Sequence, residues 1–274
     1  MSKDRYPRRV VYTALIGDYD QLAPVIFPSD VSFVVFTDNA ALSVEGWTTR
    51  SVCDWTEVLP DMPNWMINRI IKVHPHVFLP TFHESLYVDC NIALLRDPAP
   101  LFDRYLSSAD LAIPLHMDRS DIREELEECL RAGKLDKSSY NTIASRVRYY
   151  EDINLPMGPL TENNVMLRRS CPEVNLAMEA WWREICQGVK RDQIALPYAL
   201  HGAKVKFAPV REGPRVSAKY MTIRPHWPSD RPRNLRYYAR TISALRHRSI
   251  FHMVVARTLD ILVVVHSLIK RETP

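Results

Sequence analysis

The run SLYVDCNIAL (residues 85–94) sets Asp89 and Asn91 two positions apart inside an otherwise apolar, strand-like segment. Side chains at i and i+2 of an extended chain point to the same side. If the run is a buried strand, an acid and an amide leave the core together at its end, a pairing that suits a divalent cation or a sugar hydroxyl. Two more carboxylates stand in equivalent places, Asp18 after RRVVYTALIG and Asp38 after VSFVVFT. Strand-like runs alternating with helical ones argue for an α/β domain with a largely parallel sheet. Ligands of such sheets gather outside the carboxyl ends of the strands. Asp18, Asp38 and Asp89 are therefore expected on one rim.

Composition narrows the chemistry. Only 7 of 274 residues are glycine, and no two lie within ten positions of each other. That excludes the GxGxxG and Walker loops, which need clustered glycines to bring backbone N–H groups onto phosphates. A bound nucleotide must then be held by side chains and a metal. The 5 cysteines show neither zinc-ligand nor CxxC spacing, so a structural zinc and a disulfide framework are not expected. MSKDRYPRRVVYTALIG lacks the apolar stretch and small-residue cleavage site of a signal peptide, and a cytoplasmic protein is the default expectation. The net charge of +4 conceals an asymmetry: from residue 215 on there are 12 Lys and Arg against 3 Asp and Glu. A basic tail on an acidic body points to an anionic partner, a lipid surface or nucleic acid. No nucleic-acid-binding signature accompanies the basic residues, so no nucleic-acid partner is expected.

The elements that must position these groups can be sketched. Trp65, Ile67, Ile70 and Ile71 recur with helical spacing until Pro75 ends the segment. Residues 119–150 read as a charged helical insertion over one sheet edge, and residues 165–167 as a short strand before a helix around Trp181 and Trp182. The chain divides into a domain over residues 1–214 and a basic extension over residues 215–274. Within the extension, residues 215–233 read as irregular and 234–270 as helical, with Phe251, Val254, Val255, Leu262, Val265 and Leu268 on one face. Arg257 and Asp260 make that helix a poor membrane span. It either lies on a membrane surface or docks on the protein's own core.

Taken in order, YTALIGDYD, FTDN, NRIIKVHPHVF, SLYVDCNIAL, HMDRSDIREE, LTENNVMLRR and RDQIALPYAL resemble a glycosyltransferase of the GT-A fold. More narrowly, they resemble a glycosyltransferase-like family found in bacterial surface-polysaccharide loci and plant Golgi proteins. The resemblance spans residues 10–209. It implies a mixed, mainly parallel central sheet flanked by helices, to which the helical C-terminal extension, outside the resemblance, is added. It also implies transfer of a sugar from a nucleotide-sugar donor, UDP-linked by expectation, to a glycan or lipid-linked acceptor in surface polysaccharide synthesis. The enzyme would be cytoplasmic, with peripheral attachment to the inner face of a membrane.

The same resemblance assigns roles. Asp89-Cys90-Asn91 matches the family's D-x-D metal motif with its second acid replaced by an amide, which keeps an oxygen donor but loses a charge. The implied cofactor is Mn²⁺ or Mg²⁺, neutralising the departing diphosphate. Gly17, Asp18, Tyr19 and Asp38 would hold the nucleoside, and Arg69 and Lys72, at i and i+3 on a helix, the diphosphate. His116 and Arg119, with Glu125 close behind, match a further donor-side element. Glu162 and Asp192 are the candidates for chemistry at the anomeric carbon, with Gln193 beside the donor sugar; inverting and retaining outcomes both stay open. Asp192 also suits the N-cap of the helix through Leu200. His201 and His226 are the options for a third metal ligand, and His226, in a loop after the last strand-like run, is preferred. The rival readings are a non-catalytic nucleotide-sugar-binding module, motivated by Asn91, and an anionic-surface or nucleic-acid-binding protein acting through the tail.

Overall fold

The computed structural model describes residues 8–55, 62–224, 226 and 249–272. Seven strands form the main sheet, in the order β3-β2-β1-β4-β7-β6-β8. They are β1 (Arg9–Leu15), β2 (Ser32–Thr37), β3 (Thr48–Ser51), β4 (Glu84–Val88), β6 (Leu111–Pro114), β7 (Val165–Arg169) and β8 (Phe207–Val210). β1, β2, β3 and β4 run parallel, as do β6 and β8, while β7 runs against both its neighbours. This is the mixed, mainly parallel central sheet flanked by helices that the sequence leads one to expect.

The central strands are apolar on both faces because both faces are covered. Alternate residues of β1 divide between two cores. Val10, Tyr12 and Ala14 pack with α1 (Asn64–Val73), α6 (Pro172–Cys186) and α7 (Asp192–Leu200); Val11 and Leu15 pack with α3 (Ala99–Tyr105). The short helix α2 (Pro75–Phe78) follows α1 directly, its proline at the first position where the missing N–H costs nothing.

The charged segment of residues 119–150 folds as α4 (Ile122–Arg131) and α5 (Lys137–Asp152), capped by the side chains of Asp121 and Asp136. Ile122, Leu126, Ile143, Val147 and Tyr150 join the core that contains Tyr12, and α4 packs on α7. The insertion is thus part of a main layer.

A second, two-stranded sheet pairs β5 (Ile92–Leu94) with β9 (Met221–Ile223) in antiparallel register. Residues 221–223 therefore differ from the irregular segment the sequence suggests, while residues 215–220 are turns as expected: a strand of three residues is too short to show alternation, and it exists through its distant partner. Side chains and a strand from both sides of the 214/215 boundary meet here. The C-terminal helix α8 (Ile250–Glu272) follows; residues 234–248, read as helical in sequence, lie outside the described residues. Among the described residues no helix is long and apolar enough to cross a membrane.

Candidate functional site

β4 ends at Val88 in the middle of the sheet, and the chain leaves it at Asp89. The Asp89 N–H donates to Asn164 O at 2.9 Å, and Tyr87 Oη donates to Asp89 Oδ1 at 2.9 Å. Asn91 is buried and ties the second sheet to the first: its Nδ2 donates to Arg224 O at 3.1 Å, and Arg224 N donates to Asn91 O at 2.7 Å. This pairing delivers His226, whose Nε2 lies 3.5 Å from Asn91 Nδ2. Asp89 and His226 thus line one cleft from two distant segments, and Asn91, which is not among the lining residues, links them from behind.

A polar cleft of about 250 Å³ opens beside Asp89. One wall is carried by α1 and α7. Arg69 and Lys72 share a face of α1, and both reach the buried Asp192 carboxylate, at 2.9 and 2.7 Å from Oδ2. Lys72 Nζ also stands 3.7 Å from Asp89 Oδ1, so one ammonium links the strand-end acid to Asp192. Its backbone is fixed as well, because Tyr12 Oη and Arg168 both donate to the Lys72 carbonyl at 2.8 Å in the last turn of α1. Burial alone would raise the Asp192 pKa, but Arg69, Lys72 and Arg191 outweigh it and hold the carboxyl well below the usual range. Asp192 is not the N-cap that its position suggests. Arg191 takes that place, and Asp192 is the first helical residue, its carbonyl pinned by Trp181 Nε1 at 3.0 Å.

The opposite wall holds Glu162, which is buried with Arg215 and, less strongly, Arg119 as cations acting on its carboxylate: Arg215 Nε lies 3.0 Å from Oε1 but is not aligned as a hydrogen bond. Burial pushes the Glu162 pKa up to about 7, with Arg215 opposing and Asp118 adding to the rise. Between the walls stand Arg119 and Arg191. Both are gripped from behind by the fully buried Glu125, at 2.6 and 2.7 Å, and Cys129 Sγ donates to the same carboxylate. Burial would raise the Glu125 pKa, but hydrogen bonds from Arg191 and Cys129 and the two guanidinium charges bring it below normal. His116 accepts the amides of Asp118 and Arg119 at Nδ1, both at 3.1 Å. Burial, then the Arg119 charge, pushes its pKa down to about 4, so the ring is neutral at pH 7.

Asn163 Nδ2, Asn164 Oδ1 and Arg191 Nε are buried without a hydrogen-bond partner among the described residues, and all three residues line the cleft. Buried polar atoms are normally satisfied, so these orphans mark a place built for a polar ligand. Gln193 lies beside them, donating to Thr161 O at 3.1 Å. Gly17, Asp18, Tyr19 and Asp38 are not among the lining residues. They form the neighbouring loop: the Asp38 carboxylate accepts the Gly17 N–H at 3.1 and 3.0 Å, and Gly17 has a φ of +85°. That positive φ is what favours glycine there; a Cβ would sit 2.2 Å from Asn64 Nδ2, the movable end of an exposed side chain. Sequence reasoning passed over Arg191, although it stands next to Asp192 in the RDQ motif, and over Arg215, Lys134, Asn163 and Asn164.

No cluster of three His, Cys, Asp or Glu side chains among the described residues can hold a metal ion. The available donor set is instead one carboxylate, one amide and one imidazole. Both described contacts of the Asp89 carboxylate fall on Oδ1, and oxygen and imidazole donors together suit Mn²⁺ or Mg²⁺. The residues present fit such an ion.

The sequence model of the TOD1/MUCI70 glycosyltransferase-like domain matches residues 6–210, three quarters of the chain. The chain belongs to that family. Among curated relatives, the probable hexosyltransferase MUCI70 of Arabidopsis thaliana is 32% identical over 138 residues, covering 46% of this chain and 23% of its own length. The chain thus spans about a quarter of that relative. Among solved structures, mouse xyloside xylosyltransferase 1 gives a TM-score of 0.42 at 12% identity, covering 74% of this chain and 84% of the other. Core-mannan synthase A of Aspergillus fumigatus, in its Mn/GDP form, gives 0.42 at 8% identity, covering 77% and 75%.

Proposed function

We propose that the protein transfers a hexosyl group from a nucleoside-diphosphate sugar to a hydroxyl of a glycan or lipid-linked acceptor, with Glu162 as the group that takes the proton. The observation that carries this is the pairing of Glu162, poised near pH 7, with the strand-end Asp89 across one polar cleft. In the transfer, the acceptor oxygen bonds to the anomeric carbon as the bond from that carbon to the diphosphate oxygen breaks. The acceptor proton passes to the Glu162 carboxylate, and the nucleoside diphosphate leaves. Asp192 is a poor base while Arg69 and Lys72 hold it; it instead fixes those cations for the diphosphate. Arg119 and Arg191, braced by Glu125, are further fixed donors. Asp89, Asn91 and His226 would hold a divalent ion, whose contribution when bound is to neutralise charge on the leaving group. The Gly17–Asp38 loop is left to receive the nucleoside.

A thermal-shift panel of UDP, GDP, CDP and their sugars, with and without Mn²⁺, tests this. Saturation at a hundred times the dissociation constant adds about 2.7 kcal/mol, or roughly 5–10 °C for a domain of this size. One nucleotide giving a Mn²⁺-dependent rise that Asp89→Ala abolishes supports the site. No response to any nucleotide contradicts it.

We also propose that α8 attaches the protein to an anionic membrane surface. Ile250, Phe251, Val254, Ile261 and Leu262 are exposed and fall within a third of the helix circumference, and the sequence from residue 215 on carries the excess of basic residues. Flotation with vesicles containing phosphatidylserine should be lost in a Phe251→Glu, Leu262→Glu variant. Equal flotation of both chains contradicts the attachment.

A further inference from the structure

Asp20 is a carboxylate that the proposed transfer does not use. It sits in the loop after β1, almost wholly buried, its side chain 2% exposed. A buried carboxylate is costly unless hydrogen-bonded. Its Oδ1 accepts the amide of Gln21 at 2.9 Å, and its Oδ2 lies 2.6 Å from Nδ1 of His226, 206 residues further along. The imidazole is 67% exposed, so nothing but its partners holds it in one rotamer.

We infer that Asp20 is a positioning residue that fixes His226 with Nδ1 protonated and Nε2, in the cleft that Asp89 also lines, as the ligand nitrogen for a divalent cation. This rests on the metal–diphosphate site proposed above. The geometry supplies each part. A carboxylate on Nδ1 accepts only from an N–H, so in the neutral ring the lone pair is on Nε2. Nε2 is the nitrogen that lies 3.5 Å from Asn91 Nδ2. The β5–β9 pairing and the bond from Arg224 N to Asn91 O bring the segment carrying His226 to this place. Arg224 also donates to Gln21 O at 3.1 Å, joining that segment to the Asp20 loop a second time. A carboxylate behind a metal-binding imidazole orients the ring and raises its basicity, and loss of such a partner typically weakens metal affinity by about 10–100-fold. Asp20 follows Asp18 and Tyr19 directly, so the loop expected to hold the nucleoside and the metal ligand would be set by one short segment. Were Asp20 merely a tether for the C-terminal segment, its removal would change stability and leave cation affinity alone.

The test is a Mn²⁺ titration of the full chain, with free Mn²⁺ read by electron paramagnetic resonance, alone and with UDP. The chains compared are wild type, Asp20→Asn, His226→Ala, the double variant and Asp89→Ala. Asp20→Asn should bind Mn²⁺ about 10–100-fold more weakly. The double variant should be no weaker than His226→Ala alone, since both act through one ring. A ¹⁵N spectrum of the His226 ring in metal-free wild type, at a pH where the ring is neutral, should show the Nδ1–H tautomer. Wild-type Mn²⁺ affinity in Asp20→Asn, with affinity lost in Asp89→Ala, overturns the role of Asp20 and leaves the metal site standing. Equal binding by wild type and Asp89→Ala, or none by wild type, overturns both. An Nε2–H tautomer in the wild type overturns the inference even if the Asp20→Asn chain fails to fold.

Discussion

Asp192 and Glu162 face the same cleft and are equally buried, each 4% exposed, yet their acidities move in opposite directions. Burial raises both pKa values. Three cations surround Asp192 and overcome it; Arg215, with a smaller contribution from Arg119, opposes the burial of Glu162 without overcoming it. The difference lies in what is fixed around each group. Arg69 and Lys72 are held on one helix whose last turn is pinned by Tyr12 and Arg168, so their charges cannot move away from Asp192. Arg215 comes from the segment before β9 and meets Glu162 from the rim. One carboxylate is thereby made a permanent anion and the other a group that changes protonation near neutrality. A transfer site needs both: a framework for cations that meet a diphosphate, and a proton acceptor for the incoming hydroxyl.

The contrast can be broken at each end. Glu162→Gln keeps shape and removes the proton acceptor, so turnover should fall about 10²–10⁴-fold, while nucleotide-dependent thermal shifts stay close to wild type. Asp192→Asn should act on the fold instead. It leaves Arg69 without its anion and Lys72 with Asp89 at 3.7 Å in place of Asp192 at 2.7 Å, and breaking a buried pair of this kind costs about 3–5 kcal/mol, measurable by urea denaturation. A chain that lost turnover but kept full stability would reverse the roles assigned to the two acids.

The pH profile sharpens the comparison further. Because the Glu162 pKa is raised to about 7 and the base form is the active one, kcat/KM should rise with pH and level off above that value. Below it, the fall should be about tenfold per unit for a single ionisation. The same shift has a stability consequence with a definite sign. A carboxyl whose pKa is higher folded than unfolded contributes stability at low pH that is lost as pH rises through about 7. Asp192 does the reverse, contributing stability above the usual carboxylate range and losing it in acid. Arg215→Gln is the mildest change. Removing the cation that most opposes Glu162's burial should move the kcat/KM inflection to higher pH by a fraction of a unit, with the fold intact because Arg215 is 40% exposed.

How much of this was legible in the sequence follows physical reach. Period-two alternation places Asp89 at a strand end, and helical spacing puts Arg69 and Lys72 on one face, because both patterns are local; Asn91 departs from the alternation, since it lies in the turn closed by Ile92 N donating to Asp89 O. The alternation of strands and helices likewise gives the sheet. The two ends of the cleft are not local. Arg215 reaches Glu162, and Asp20 reaches His226 across 206 residues, through a three-residue strand whose pairing no periodicity announces. Arg191 was readable in position, beside Asp192, but not in role, since its brace is Glu125 on α4. The Asp192 side chain likewise turned from the expected cap to Lys72 because two cations outweigh one helix N–H.

The central claim is that this cleft transfers a sugar with Glu162 as the proton acceptor. Its most direct test is release of nucleoside diphosphate from a panel of nucleotide sugars, with Mn²⁺ and with water or an added acceptor, by wild type and Glu162→Gln. The account predicts that wild type releases one nucleoside diphosphate, and that Glu162→Gln binds the same donor but releases it at least about a hundredfold more slowly. Release by Glu162→Gln at the wild-type rate, or no release by wild type from any donor that shifts its melting temperature, would contradict it.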